Sequence, residues 1–406
     1  WQEHGGPEEG VRRYVNQAWE KGYIPIVTVY LIDGATGCYE DAKCYADWLK
    51  SGSSVGGYLA VLREAARQAN GPHPMIFHLE PDFAGFMQEL SNRSDRPEGV
   101  EPDDPSSYYV ALNISGYPNN LAGFGRRMVD VIRSEAPNAL VAHHASDWAT
   151  YRTSQIVAAS EIEGIAQRTA DFLNAMGGDR CDLFFTEWSD RDAGSGERPW
   201  WDVSNREVPR PARRIQWDNA LIHAAGQRLM LWMVPCGNMD LENVCTRYQD
   251  NRAEYIFHHL RDLADAGFVG VVFGPGTENC MTRPSTDGGK IRDWAATTYA
   301  LPVATSGLSK GASFGPIVPI RWDESSEPDL WGYRLAYEPE PGGATHFINV
   351  GRANATDLLL PYPTSWRVWV AVYDALNQLG PSSSPIIITT TESPETNYLP
   401  LVQRDH

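Results

Sequence analysis

At 406 residues, with 42% apolar and 21% charged side chains, the chain has ordinary globular composition and length enough for two domains. Its net charge is -18, from 34 basic against 52 acidic residues, and no Lys/Arg-rich run interrupts that balance. Such a surface repels phosphate backbones and anionic lipid, and no stretch reaches the ~18 apolar residues of a membrane span, so nucleic acid and membrane are set aside and a neutral polymer is favoured.

Gly10–Glu20 reads as a helix, and six apolar runs follow in chain order: Ile24–Ile32 (IPIVTVYLI), Met75–Leu79 (MIFHL), Ala139–His143 (ALVAH), Leu183–Thr186 (LFFT), Leu229–Val234 (LMLWMV) and Phe268–Phe273 (FVGVVF). Amphipathic helices are expected at Val55–Gln68, Leu121–Ser134 and Ala253–Ala266. Near-continuous apolar strands separated by helices predict a parallel sheet buried on both faces. Neither GxGxxG nor GxxxxGK stands at any strand-to-helix turn, which argues against an open nucleotide-binding sheet. Acidic and aromatic residues gather instead just after the strands, where barrel enzymes place their chemistry. The expected fold class is α/β: a (β/α) TIM-like barrel over residues 1–301. Six strands are fewer than eight, so the barrel is expected to be distorted or incomplete, with a weak strand at Tyr108–Ile114 and a first strand lost ahead of Trp1.

Trp1, with neither Met nor an apolar signal core after it, reads as the start of a mature product or of a trimmed chain, with any export signal already removed. The six cysteines form no CxxC pair, so no metal is expected. Close spacing at Cys38/Cys44 and Cys236/Cys245 suggests local disulfides, hence an oxidising compartment and a secreted protein. A monomer without cofactors is expected, its partner a polysaccharide or oligosaccharide.

Residues 302–316 (PVATSGLSKGASFGP) read as a linker. Residues 317–392 alternate apolar and polar as an all-β module does, and 393–406 form a tail. The module resembles a fibronectin type III domain through Trp322, the segment around Trp331–Tyr333, Leu360, and WRVWVAVYDALNQLGPSSSP with Tyr373 and Asp374 before a Gly-Pro-Ser exit. The resemblance implies a β-sandwich of the kind used as a spacer in secreted polysaccharide hydrolases.

Glycosidic hydrolysis needs two carboxyl groups flanking the scissile oxygen. HLEPD ends the second strand with Glu80 and Asp82, which share parity and would face one side if the strand continued; a salt bridge or a helix N-cap is the structural alternative. FTEWSD ends the fourth with Glu187 beside Trp188, a carboxylate next to an indole face that could stack on a sugar ring. HHASDW ends the third. Its adjacent histidines point to opposite faces, leaving one of them, or Asp147 with Trp148, to line a cleft. Glu278 in GPGTE, His78 and Trp232 complete the candidate substrate-binding set, although a buried tryptophan is as often core. Asp33 is equally a cleft residue or a loop cap.

IFHLEPDFAGFMQEL resembles the IEPDSL-type motif of family six cellulases, which implies an inverting reaction with Asp82 as acid. GVVFGPGTE is similar to the last-strand segment of that family, with Asn279-Cys280 standing in place of its usual Asp. FFTEWSD looks like the nucleophile strand of clan A retaining glycosidases, which implies Glu187 as nucleophile and Glu80 as acid/base, with Leu79 where that clan has Asn. The expected function is a glycoside hydrolase acting on a β-linked polysaccharide, with Glu80 or Asp82 as proton donor and Glu187 as second carboxylate. The alternative is a carbohydrate-binding or adhesive protein on the same scaffold.

Overall fold

All six apolar runs become strands of one parallel sheet in the computed structural model, which describes residues 7–188, 191–196, 198–274, 279–298, 301–313, 316–327, 330–361, 364–374 and 378–390. The chain divides into two compact units, Trp1–Ile291 and Arg292–His406.

In the first unit, helix α1 (Pro7–Glu20) leads into β1 (Ile26–Val29), followed by α2 (Ile32–Thr36), α3 (Ala42–Trp48) and α4 (Gly52–Ala69). Then come β2 (Met75–Leu79), α5 (Phe83–Asn92), α6 (Leu121–Glu135), β3 (Ala139–Ala145), α7 (Ile162–Ala175), β4 (Leu183–Glu187), α8 (Pro211–Ala225) and β5 (Arg228–Val234). Two short helices, α9 (Arg252–His258) and α10 (Leu260–Ala266), replace the single one expected over Ala253–Ala266 and precede β6 (Phe268–Phe273). Gly226 and Gly267, at φ 71 and 99, end α8 and α10 in the left-handed conformation that glycine adopts without a Cβ clash.

The strands lie in sequence order, β1 to β6, curled as a half-barrel with β1 and β6 at its edges. The expected strand at Tyr108–Ile114 does not form: that segment makes one isolated bridge, Tyr109 to Asn120, and buries Tyr108, Val110 and Leu112 instead. Pleating separates the two faces. Val27, Phe77, Val141, Phe184 and Leu229 join the main core with residues of the helices. Ile76, Ala142, Leu183 and Phe185 form a separate small cluster on the concave side, with Met230, Trp232 and Val272 only partly buried against it. The middle of the concave side is therefore packed, and partial exposure there falls on Ile26 of β1, Met230 and Trp232 of β5 and Val272 of β6.

The second unit is antiparallel. Strands β7 (Ser309–Lys310), β8 (Ile317–Arg321), β9 (Leu330–Glu340), β10 (His346–Gly351), β11 (Ala355–Leu359), β12 (Thr364–Asp374) and β13 (Ile386–Thr390) form two sheets, β10-β9-β12-β13 and β11-β8-β7. One core joins them, including Val318, Trp322, Tyr333, Leu335, Leu358 and Val368. The segment expected as a linker contributes β7, which pairs with β8 through Ser309 and Lys310. Helix α11 (Lys290–Thr298) crosses the boundary between the units. The expected tail, 393–406, lies outside the described residues.

Two disulfides are present. Cys38–Cys44 matches the expected pair, whereas Cys245 bonds Cys280, not Cys236. Cys236 is a buried free thiol, as is Cys181: sequence proximity set the expectation, and the fold brings a more distant cysteine alongside. The disulfides fit an oxidising compartment. No helix among the described residues is long and apolar enough to cross a membrane.

Candidate active site at the strand ends

β2 stops at Leu79 because the chain turns sharply there. Glu80 and Asp82 both take positive φ, 39 and 67, on either side of Pro81. A non-glycine residue in this region costs of order 1–2 kcal/mol, and such residues cluster at functional sites. The turn sends the two carboxylates in different directions, contrary to the shared face expected from parity. Glu80 is 3% exposed and accepts hydrogen bonds from the backbone amides of Leu31 and Ile32 at 3.1 Å each. It thereby ties the end of β2 to the first residues of α2. Burial pushes its pKa up to about 7, against the opposing pull of those amides and of Tyr58. Asp82 occupies the N-cap position of α5 without a side-chain cap bond, and its Oδ1 lies 3.7 Å from His144 Nε2.

His144 and Glu187 complete a cluster with Asp82. One carboxylate oxygen from each acid and one ring nitrogen of His144 lie within 4.8 Å of one another. The three come from the carboxyl ends of β2, β3 and β4, which the parallel topology places on one side of the sheet, and the turn after β2 directs Asp82, not Glu80, into the cluster. Asp82 and Glu187 are half-buried and His144 is 2% exposed.

Behind His144 runs a polar chain that the sequence reading did not identify. Its Nδ1 is 3.1 Å from His78 Nε2, and His78 Nδ1 is 3.4 Å from Thr28 Oγ1. Thr28 and His78 are register partners on β1 and β2. His78 stacks on Phe185 with centroids 4.0 Å apart, and Trp232 meets both imidazoles edge-on at 5.0 and 5.6 Å. Burial lowers the pKa of both histidines, that of His144 to about 3, so the rings are neutral and each tautomer is set by its neighbour. His144 Nε2, at the open end, has no hydrogen-bond partner among the described residues.

Several expected substrate contacts stand elsewhere. His78 is 0% exposed and one step behind the cluster. Trp232, opposite Glu187 in the β4/β5 register, is half-buried on the concave side; Met233 at φ 56 accompanies a register shift between β5 and β6, the kind of irregularity that re-aims a side chain. Trp188 turns away from that side. Its Nε1 donates to Asp218 at 2.7 Å and its ring packs on Trp201 at 4.9 Å. Asp147, 5% exposed, accepts from the Ser154 amide and hydroxyl and lies 3.4 Å from Arg214. Asp147, Arg214, Trp188, Trp201 and Arg210 border a separate pocket of roughly 150 Å³. Trp148 packs on Phe86 at 4.8 Å. Asp33 accepts from the Tyr45 hydroxyl at 2.7 Å and the Glu40 amide, which is the loop-cap alternative. Glu278 lies outside the described residues. The other partner of the pair His143-His144 faces the opposite way, with His143 Nε2 3.2 Å from the Met176 carbonyl.

Tyr30, immediately after β1 and 41% exposed, was not among the expected residues. Partial burial and then the Asp82 carboxylate raise its pKa above the ordinary phenol value, which marks it as a neighbour of the acid. An aromatic near the end of the Ile24–Ile32 run, one residue beyond β1, is the signal that could have found it.

No protein-family model matches the chain, and no curated protein matches it. The chain is similar to solved structures, among them three that cover less than a quarter of it. The FN1–FN3 domains of chicken CNTN1 are 20% identical with a TM-score of 0.21, covering 22% of this chain and 33% of that one. The third fibronectin III domain of human KIAA0343 is 18% identical with a TM-score of 0.21, covering 24% and 90%. The FN3 domain of human collagen XX is 20% identical with a TM-score of 0.21, covering 22% and 93%.

Proposed function

We propose that the first unit is a (β/α)-barrel-type glycoside hydrolase scaffold acting on a β-linked glycan, and that the second is a fibronectin type III-like module. The carrying observation is the approach of Asp82 and Glu187 from different strands to within 4.8 Å at the accessible end of the concave face. Retaining glycosidases hold their two carboxyl groups about 5–5.5 Å apart, whereas inverting ones need about 6.5–9.5 Å to admit water. An oxygen-to-oxygen approach within 4.8 Å leaves less room than the inverting arrangement needs, and on that ground the retaining scheme is the one adopted.

In that scheme Glu187 attacks the anomeric carbon while Asp82 gives its proton to the departing glycosidic oxygen. A glycosyl ester forms on Glu187. Asp82 then removes a proton from water, which attacks the same carbon and releases Glu187. A neutral His144 with its Nε2 lone pair towards Asp82 favours the protonated acid; this tautomer places the Nδ1 hydrogen on the bond to His78. Glu80, held by the amides of Leu31 and Ile32, positions the turn and takes no part in proton transfer. The partly buried Trp232, edge-on to His144, and the exposed Tyr30, whose hydroxyl feels the Asp82 carboxylate, are the aromatic surfaces offered to a sugar ring.

The test is sugar release from soluble and insoluble β-glucans, xylans and mannans, with the product anomer followed by proton NMR. Asp82→Asn and Glu187→Gln should each lose at least ~100-fold in kcat while retaining wild-type circular dichroism, and Glu80→Gln should keep most activity at a temperature where it remains folded. If wild type cuts nothing on the panel, or Asp82→Asn and Glu187→Gln cut as wild type does, the reading fails.

A further inference from the structure

We propose that Asp82, His144 and Glu187 form a three-ligand site for a divalent transition cation of the zinc type, which competes with glycan for the same two carboxylates. Two independent features point to a ligand. One is the convergence of two acidic oxygens and an imidazole nitrogen within 4.8 Å. The other is His144 Nε2: a polar atom on a side chain only 2% exposed, aimed into that cluster and without a hydrogen-bond partner among the described residues.

The spacing suits such an ion. Tetrahedral bonds of about 2.1 Å separate neighbouring donors by about 3.4 Å. His144 Nε2 and Asp82 Oδ1 stand 3.7 Å apart, so that edge needs only a slight contraction. Glu187, at the last position of β4, has the rotatable side chain to close the other two. Three protein ligands leave a coordination position open to water or a small anion, the pattern of non-structural zinc sites.

The chain behind His144 has the form that a metal-bound histidine uses. With Nε2 free to bind the ion, Nδ1 carries the hydrogen and donates to His78 Nε2 at 3.1 Å, and His78 Nδ1 in turn donates to Thr28 Oγ1 at 3.4 Å. Such outer partners fix ring orientation and raise ligand basicity. The mixed nitrogen and oxygen set disfavours calcium, which takes 6–8 oxygens, and magnesium, which prefers oxygen and retained water.

The experiment is calorimetric titration of the full chain, stripped with chelator, with Zn²⁺ and separately with Ca²⁺. Wild type should take up one tight equivalent of Zn²⁺. His144→Ala should weaken that equivalent at least ~100-fold, beyond the 10–100-fold typical of outer-shell changes, and the isosteric Glu187→Gln should do the same if His144→Ala does not fold. Absence of a tight Zn²⁺ equivalent, its persistence in the folded variants, or equally tight Ca²⁺ binding would overturn the assignment. Because the readout is binding, it stands or falls separately from glycan cleavage.

Discussion

His78 and His144 share a hydrogen bond of 3.1 Å between Nε2 and Nδ1, although 66 residues separate them in the chain. A single proton occupies that bond, so its position fixes whether His144 presents a lone pair or an N–H to Asp82. The far end is the Thr28 hydroxyl, which can donate or accept. The chain from β1 through β2 to β3 therefore sets the chemistry at a residue on none of those strands, Asp82.

Replacing His78 by Phe tests this coupling. The ring would still pack against Phe185, but His144 would lose its Nδ1 partner. Sugar release should fall 10–100-fold, mainly in kcat, because His78 is fully buried and does not touch substrate. Imidazole nitrogen NMR should show His144 as a tautomer mixture in the variant and as a single tautomer in wild type. A purely structural role for His78 would leave that spectrum unchanged.

Glu80 predicts a pH-dependent stability difference. Its pKa is about 7 in the folded chain against an ordinary 4.5, so the native state holds the proton more tightly than the unfolded state between those values. The stabilisation is full below pH 4.5 and lost as pH rises through about 7. Glutamine does not titrate. Denaturant unfolding should show wild type losing about 3 kcal/mol relative to Glu80→Gln across that window, at 1.36 kcal/mol per pKa unit. A difference that stays flat with pH would mean that the amides of Leu31 and Ile32 offset the burial.

Arg214 holds two buried acids at once, with Asp147 at 3.4 Å and Asp218 at 3.3 Å, and also donates to Thr186 Oγ1. Arg214→Met would leave both carboxylates in a dry setting without their cation. Removing one member of a buried ion pair typically costs about 3–5 kcal/mol, and equilibrium unfolding near neutral pH should show a loss in that range. Loss should be smaller in acid, where Asp218, whose pKa burial already raises to about 7, takes up a proton.

The parallel strands were legible because each is a short apolar run, and β2 and β6 coincide with MIFHL and FVGVVF. Their burial on both faces, under helices on one side and in the small concave cluster on the other, makes the run continuous, which a sequence displays directly. The antiparallel module was legible for the complementary reason, alternation between an inner and an outer face. Asp82 and Glu187 were visible as acids at strand ends, since parallel topology places such ends on one side whatever the connections do.

Direction was not visible. Parity put Glu80 and Asp82 on one face, but two positive-φ residues around Pro81 turned Glu80 to the amides of Leu31 and Ile32. Trp188 and Glu187 are adjacent in sequence and yet serve different sides of β4, because successive residues of a strand point oppositely. His78 and one of the pair His143-His144 read as separate candidates for substrate contact, and Thr28 as an ordinary strand residue. Only the pairing of three strands lines them up, and hydrogen bonds of about 3 Å depend on register and curvature that no local pattern encodes. The same holds for Cys245, which met Cys280 rather than its nearer neighbour Cys236. Residue type and local period thus determined which elements form and which end of the sheet carries the acids; tertiary packing alone decided which acids meet, because side-chain direction at a strand end is set by a few backbone dihedrals beyond the last ladder bond.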